Sequence, residues 1–149
     1  MSRGYILAVV LMPVFAMAAT PGSECAAPGH YVEGMLLTSI KNDLGIDLTS
    51  IQYSKTTVEV LDVLPVSDVF ARKMAIADSQ ADLKKSADLR LSESDYYSMY
   101  HDGHVLTVTA KYTFTDKNGK RDEFISSAFA NDDECSVRYN GYITLSREF

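Results

Sequence analysis

Leu106-Thr107-Val108-Thr109-Ala110-Lys111-Tyr112-Thr113-Phe114, followed closely by Asp116-Lys117-Asn118-Gly119, is the stretch that decides the fold. Apolar and polar side chains alternate strictly across its first nine residues. Successive side chains of a strand point to opposite faces, so this pattern predicts a β-strand with one face in a core. Asn-Gly is a strong short-range signal for a hairpin turn, because both residues tolerate the positive φ that tight hairpins require. The chain is therefore expected to reverse at 116–119 and return as a second strand from Asp122 to Ala130. A further turn at Asn131-Asp132-Asp133-Glu134 leads into Cys135 to Tyr139, Gly141 offers a bulge, and Tyr142 to Ser146 completes the run. The last third of the chain thus predicts an antiparallel meander.

Upstream of the meander the periodicity changes. Val32, Leu36, Ile40 and Leu44 recur every four residues within Tyr31 to Leu44, with Gly45 as a C-terminal cap, which predicts an amphipathic helix. Ile51 to Leu64 is rich in β-branched residues and predicts a long or bulged strand, with Val58, Val60 and Leu64 on one face and Glu59, Leu61 and Val63 on the other. Pro65 ends it. Ser67 can cap a second helix whose Val69, Phe70, Met74 and Ala77 form an apolar stripe, running to about Ser79. Gln80 to Leu91 reads as a frayed helix or linker. Ser92-Glu93-Ser94-Asp95 then resembles a capping sequence before a short helical turn carrying Tyr96, Tyr97 and Tyr100. Without alternating βαβ units, these elements predict an α+β domain. An N-terminal helix and a second helix cover one face of a twisted antiparallel sheet of about four strands, with one disulfide.

The extreme N-terminus predicts export. Arg3, the apolar run Tyr5 to Phe15 and the small-residue sequence Ala16-Met17-Ala18 have the three-part layout of a cleavable signal peptide over residues 1–18. The apolar run is shorter than the ~20 residues of a spanning helix and contains Pro13, so no membrane span is expected after cleavage. Pro21-Gly22-Ser23-Glu24 separates Cys25 from the apolar run, which does not suit a lipid-anchor signal. The Ala-rich cleavage site points to a bacterial precursor, and no Asn-x-Ser/Thr sequon occurs. Phe149 at the C-terminus does not mark an outer-membrane barrel strand, because Arg147 stands where an apolar residue would be needed. Residues 19–29 read as an extended arm and 30–149 as a single domain. The expected location is periplasmic or secreted.

Two cysteines, Cys25 and Cys135, in a chain bound for an oxidising compartment predict one disulfide. Without the signal segment the chain has 13 basic and 20 acidic side chains, a net charge of −7. That excess disfavours nucleic acid, which needs a basic face, and permits a basic protein partner.

Few residues suggest chemistry. His101-Asp102-Gly103-His104 places two of the three histidines in one turn, a weak metal candidate, since zinc sites need three or four ligands with supporting groups. His30 reads as a helix-start residue. Tyr96, Tyr97 and Tyr100 either form an exposed aromatic patch for a partner or close the core. Asp132, Asp133 and Glu134 could meet a cationic partner from a disulfide-fixed turn. No nucleophile elbow, His-Glu-x-x-His or phosphate-binding glycine loop is present. The expected activity is non-enzymatic protein binding, with no cofactor. The alternatives are a small-ligand carrier of cystatin-like or NTF2-like shape, whose sheet would enclose a cavity, and a small metal-dependent hydrolase using His101 and His104.

The order Cys25, an amphipathic helix ending Ile40-Lys41-Asn42-Asp43-Leu44, and a strand meander with Cys135-Ser136-Val137-Arg138-Tyr139 near its end resembles the small exported proteins grouped with YebF and the colicin M immunity protein. The likeness spans residues 25–44 and 104–140, with 66–103 as an insertion. It implies a leading helix on a four-stranded antiparallel sheet with one disulfide, and a periplasmic or exported binding protein of immunity, inhibitor or virulence-accessory type.

Overall fold

Residues 20–149 are described by the computed structural model of the chain; the expected signal peptide, 1–18, lies outside them. Four strands, β1 (Thr57–Pro65), β2 (Leu106–Thr115), β3 (Arg121–Ala130) and β4 (Arg138–Ser146), pair antiparallel in chain order. The hairpin forms where the sequence places it. Gly119 takes φ 83°, and the Asp116 carboxylate accepts from the backbone N–H groups of Asn118 and Lys120, both at 2.8 Å.

The strict alternation in β2 sorts the sheet into two faces. On the first, Val108, Ala110, Tyr112 and Phe114 are fully buried, and register places Ala128, Ser126 and Phe124 of β3 opposite the first three. Helix α1 (Tyr31–Leu44) covers this face with Val32, Leu36 and Ile40, all fully buried at the expected spacing. It ends where Gly45 adopts φ 69°, with the Gly45 N–H donating to the carbonyls of Ile40 and Lys41.

Before α1, residues 20–29 are compact where an extended arm is expected. A single 3₁₀ turn, Ser23–Ala26, buries Cys25 and Ala26, and the buried Tyr112 hydroxyl donates to the Ala26 carbonyl at 2.8 Å. The arm folds in because Cys25 is bonded to Cys135, with Cα atoms 5.3 Å apart. At the other terminus, the buried Asp122 carboxylate accepts from the N–H groups of Glu148 and Phe149 at 2.6 and 3.1 Å, so the tail turns back onto the same core.

In β1, one expectation is corrected. A 3₁₀ turn, Tyr53–Lys55, occupies the start of the expected strand, just after another at Leu48–Ser50, and a bulge at Leu61 inverts the later alternation. Val58, Val60 and Val63 therefore lie opposite Tyr112, Ala110 and Val108 on the first face, whereas Leu64 turns to the second and is exposed. One extra residue in a strand flips every side chain beyond it.

The 40 residues between Pro65 and Leu106 form a helical excursion on the second face. Helix α2 (Asp68–Asp82) begins at Ser67, whose hydroxyl accepts from the Phe70 N–H, and runs three residues past Ser79. A 3₁₀ turn at Ala87–Leu89 follows, and helix α3 (Glu93–His101) starts with the expected capping box between Ser92 and Asp95. Phe70 and Tyr100 both stand edge-on to Phe129 of β3, at 5.2 and 5.4 Å between centroids. With the buried Ala71 and Ala75 they form a second, smaller core. Helices thus flank the sheet on both sides, not on one face as expected, because the excursion after Pro65 crosses to the face of Phe129. The fold is α+β.

Candidate functional site

Three aspartates and three tyrosines of the helical excursion are paired across its two helices. Ala71, Ala75, Asp78 and Asp82 share one face of α2 by their spacing, and the two aspartates meet the tyrosines of α3. Tyr96 donates to Asp82 at 2.9 Å, Tyr100 to Asp78 at 2.7 Å and Tyr97 to Asp68 at 2.5 Å. Asp78 also receives a two-pronged ion pair from Arg138 of β4, at 2.5 and 2.9 Å, which fastens α2 to the sheet.

The environment sets the charge of each member. Burial opposes ionisation of Asp78, but the bonds from Arg138 and Tyr100 outweigh it and hold the carboxyl below its usual range. Asp82 is lowered to about 2, chiefly by the bond from Lys85 and then by the Leu91 N–H and Tyr96. Asp68 is lowered mainly by Tyr97. Burial and the bond to Asp78 push the Tyr100 hydroxyl well up. At neutral pH the array is anionic aspartate facing neutral tyrosine. It lacks a poised acid or base, because every shift moves a group away from neutrality.

The three predicted tyrosines are therefore brought together, with each hydroxyl turned inward to α2. Tyr100 is buried and Tyr96 and Tyr97 are half-buried. Their partners Asp68, Asp78, Asp82 and Arg138 escaped the sequence reading. A signal existed: acids at 78 and 82 continue the buried spacing of Ala71 and Ala75, and an acid on a core stripe needs a donor.

The acidic turn lies elsewhere, between β3 and β4. Asp132, Asp133 and Glu134 are exposed, and among the described residues none of the three takes part in an ion pair. The turn is fixed from within. Asn131 accepts from the N–H groups of Asp133 and Glu134 at 3.0 and 2.8 Å, its own N–H donates to the Glu134 carbonyl at 2.9 Å, and Cys135 follows in its disulfide.

His101 and His104 are exposed and border a shallow cleft of about 210 Å³ with Pro65, Val66, Val105 and Leu106. His101 stacks on Tyr97 at 5.1 Å and its Nδ1 lies 2.9 Å from Asp102, while His104 takes φ 51° in the turn. Among the described residues no group of three or more His, Cys, Asp or Glu side chains is placed to hold a metal ion. A second shallow cleft, of about 290 Å³, opens on the second face beside the helical excursion, where Phe70, Ile125 and Ile143 supply apolar walls and Gly141 leaves room. The first face has Tyr112, Phe114 and Phe124 filling the space under α1.

The chain matches no protein-family model, and no curated protein or solved structure matches it either. No helix among the described residues is long and apolar enough to cross a membrane.

Proposed function

We propose that this chain is a small exported bacterial protein that acts by binding another protein, without catalysis, through the acidic turn Asp132-Asp133-Glu134 and the surface around it. One observation carries the reading: the molecule uses its acids in two opposite ways. Asp68, Asp78 and Asp82 of the helical excursion are engaged by internal donors, whereas the acids of the turn are exposed, free of ion pairs among the described residues and mounted beside a disulfide. Preorganised, unpaired charge lowers the ordering cost of association and steers a partner of opposite sign. The net charge agrees with a basic partner surface. Export is supported by the disulfide, which is typical of oxidising compartments, and by the signal-like N-terminus. A leading helix, a four-stranded antiparallel sheet and one disulfide are the layout that the resemblance to the YebF and colicin M immunity group implies, with residues 66–103 as an insertion.

Affinity capture tests this with the oxidised mature protein as bait in the extracytoplasmic fraction of its own source. The expected result is a stoichiometric protein, released by raising the salt and lost with the triple variant Asp132→Asn, Asp133→Asn, Glu134→Gln. Capture that is indifferent to these three substitutions would remove the turn from the interface. A bait that elutes bare, or with a metal or small molecule bound, would overturn protein binding itself.

A further inference from the structure

Between α2 and α3 the chain leaves the helices for a loop, residues 83–91, that is exposed along its whole length. It reads Leu83-Lys84-Lys85-Ser86-Ala87-Asp88-Leu89-Arg90-Leu91, with Lys84, Lys85 and Arg90 in one short run. Its two ends are held together. The buried Asp82 carboxylate accepts from the Leu91 N–H at 3.1 Å and pairs with Lys85 at 2.5 Å, and Arg90 Nε donates to the Lys85 carbonyl at 2.9 Å. Leu83, Leu89 and Leu91 already face solvent, so opening this loop uncovers little apolar surface. A protease must draw its substrate into an extended segment, which makes such a loop the place where the fold yields most readily. Basic residues elsewhere are worse placed. Lys41, Arg72, Lys73, Lys111, Arg121 and Arg138 lie inside helices or strands, and Lys55 stands just before β1. Lys117 and Lys120 belong to the hairpin turn held by Asp116, and Arg147 is paired with Asp122.

We infer that the loop 83–91 is a processing site for an endoprotease that recognises Lys or Arg through an acidic pocket, and that the cut protein stays whole until its disulfide is reduced. The cut is a hydrolysis: the protease adds water across the amide bond after Lys84, Lys85 or Arg90, leaving a carboxylate on one piece and an ammonium group on the other. Every such bond lies between Cys25 and Cys135, so the two pieces remain joined by that disulfide. The contacts that cross the cut lie away from it. β1 stays paired with β2 from Thr57 to Pro65, α1 stays on Tyr112 and Phe124, and Asp78 stays bound to Tyr100 and Arg138. The first piece carries α1, β1 and α2, and the second carries α3 and β2 to β4, so neither holds a complete core. A dithiol reductant then gives two electrons and two protons to Cys25–Cys135 and is itself oxidised to a disulfide, which leaves the pieces joined by non-covalent contacts alone. From that point their association depends on concentration, as for any two-chain complex. Cutting and reduction together therefore release what neither releases alone. This surface is separate from the acidic turn, and the inference stands whether or not a partner binds there.

Limited digestion of the oxidised mature protein with trypsin, followed by intact-mass analysis with and without reductant, reads this directly. The expected early product has the mass of the uncut chain plus one water before reduction and resolves into two pieces after it, with the new end at Lys84, Lys85 or Arg90. Its far-ultraviolet dichroism should match that of the uncut protein. The triple variant Lys84→Gln, Lys85→Gln, Arg90→Gln should lose this early product, and Lys117→Gln should keep it. On gel filtration at falling concentration, the cut and reduced protein should separate into its two pieces, whereas the cut oxidised protein and the uncut reduced protein should each elute as one species. A first cut outside 83–91, or digestion that begins only in urea that unfolds the whole chain, overturns the processing site. A cut protein that loses its dichroism while oxidised, or pieces that stay together at every dilution after reduction, overturns the release.

Discussion

The two sides of this sheet are held by different physics. Under α1 the core is apolar and closed by a covalent bond: Val32, Leu36 and Ile40 meet Tyr112, Phe114 and Phe124, and Cys25–Cys135 ties the arm to the approach of β4. On the opposite side, α2 and α3 meet the sheet through a few rings around Phe129 and are otherwise joined by tyrosine–aspartate bonds and the Asp78–Arg138 ion pair. Apolar burial does not depend on pH, and a disulfide depends on redox potential. The helical excursion has the opposite sensitivities. A single small domain can thus carry two layers that respond to different solution conditions.

Reduction should break the α1 side. The disulfide spans 110 residues, and closing a loop of that length restricts the unfolded chain by about 4–5 kcal/mol on the chain-entropy account. Urea unfolding of oxidised against reduced protein should show a large fall in midpoint. Equal midpoints would mean that the arm contributes little.

Acid should loosen the other side. Asp68, Asp78 and Asp82 have folded pKa values below their ordinary ones, so the stability they contribute is present above pH ~4 and is lost as pH falls through the folded values, for Asp82 between 3.8 and about 2. The raised tyrosines add a mirror-image loss, as pH climbs from about 10 through their folded values. The chain has no tryptophan, so near-ultraviolet dichroism reports tyrosine packing. That signal is expected to fade in acid before the far-ultraviolet sheet signal does. Simultaneous loss would make the two layers one cooperative unit.

A single substitution sharpens the contrast with a smaller effect. Asp78→Asn leaves Arg138 half-buried without its carboxylate and should cost about 1–3 kcal/mol. Pairing it with Arg138→Met in a double-mutant cycle isolates the interaction. Additive losses would show that the ion pair does not fasten α2 to β4.

Local patterns were the legible part. The alternation from Leu106 to Phe114, Asn118-Gly119, the four-residue spacing of α1 and the cap at Ser92 each predict an element that is present, since each depends on neighbours in sequence. What escaped depends on distant partners. The bulge at Leu61 is set by pairing with β2, and it reversed the expected faces of Val63 and Leu64. The arm folds inward because of a cysteine 110 residues away. Tyr97 and Asp68 are 29 residues apart, Arg138 and Asp78 are 60 apart, and nothing local announces either pair. The acidic turn was visible in sequence, but its rigidity was not, because that comes from the side chain of Asn131 folding back on the residues after it.

Pro65 and Leu106 are paired across β1 and β2, and the Val66 N–H donates to the Val105 carbonyl at 2.9 Å. The helical excursion therefore departs and re-enters at one closed neck. A segment mounted in this way is topologically a guest: it can lengthen, shrink or be exchanged without re-threading the meander, much as a domain is inserted into a host at a surface loop. Variation in such a protein would accumulate as whole cassettes at this neck, leaving the disulfide-closed host unchanged beneath.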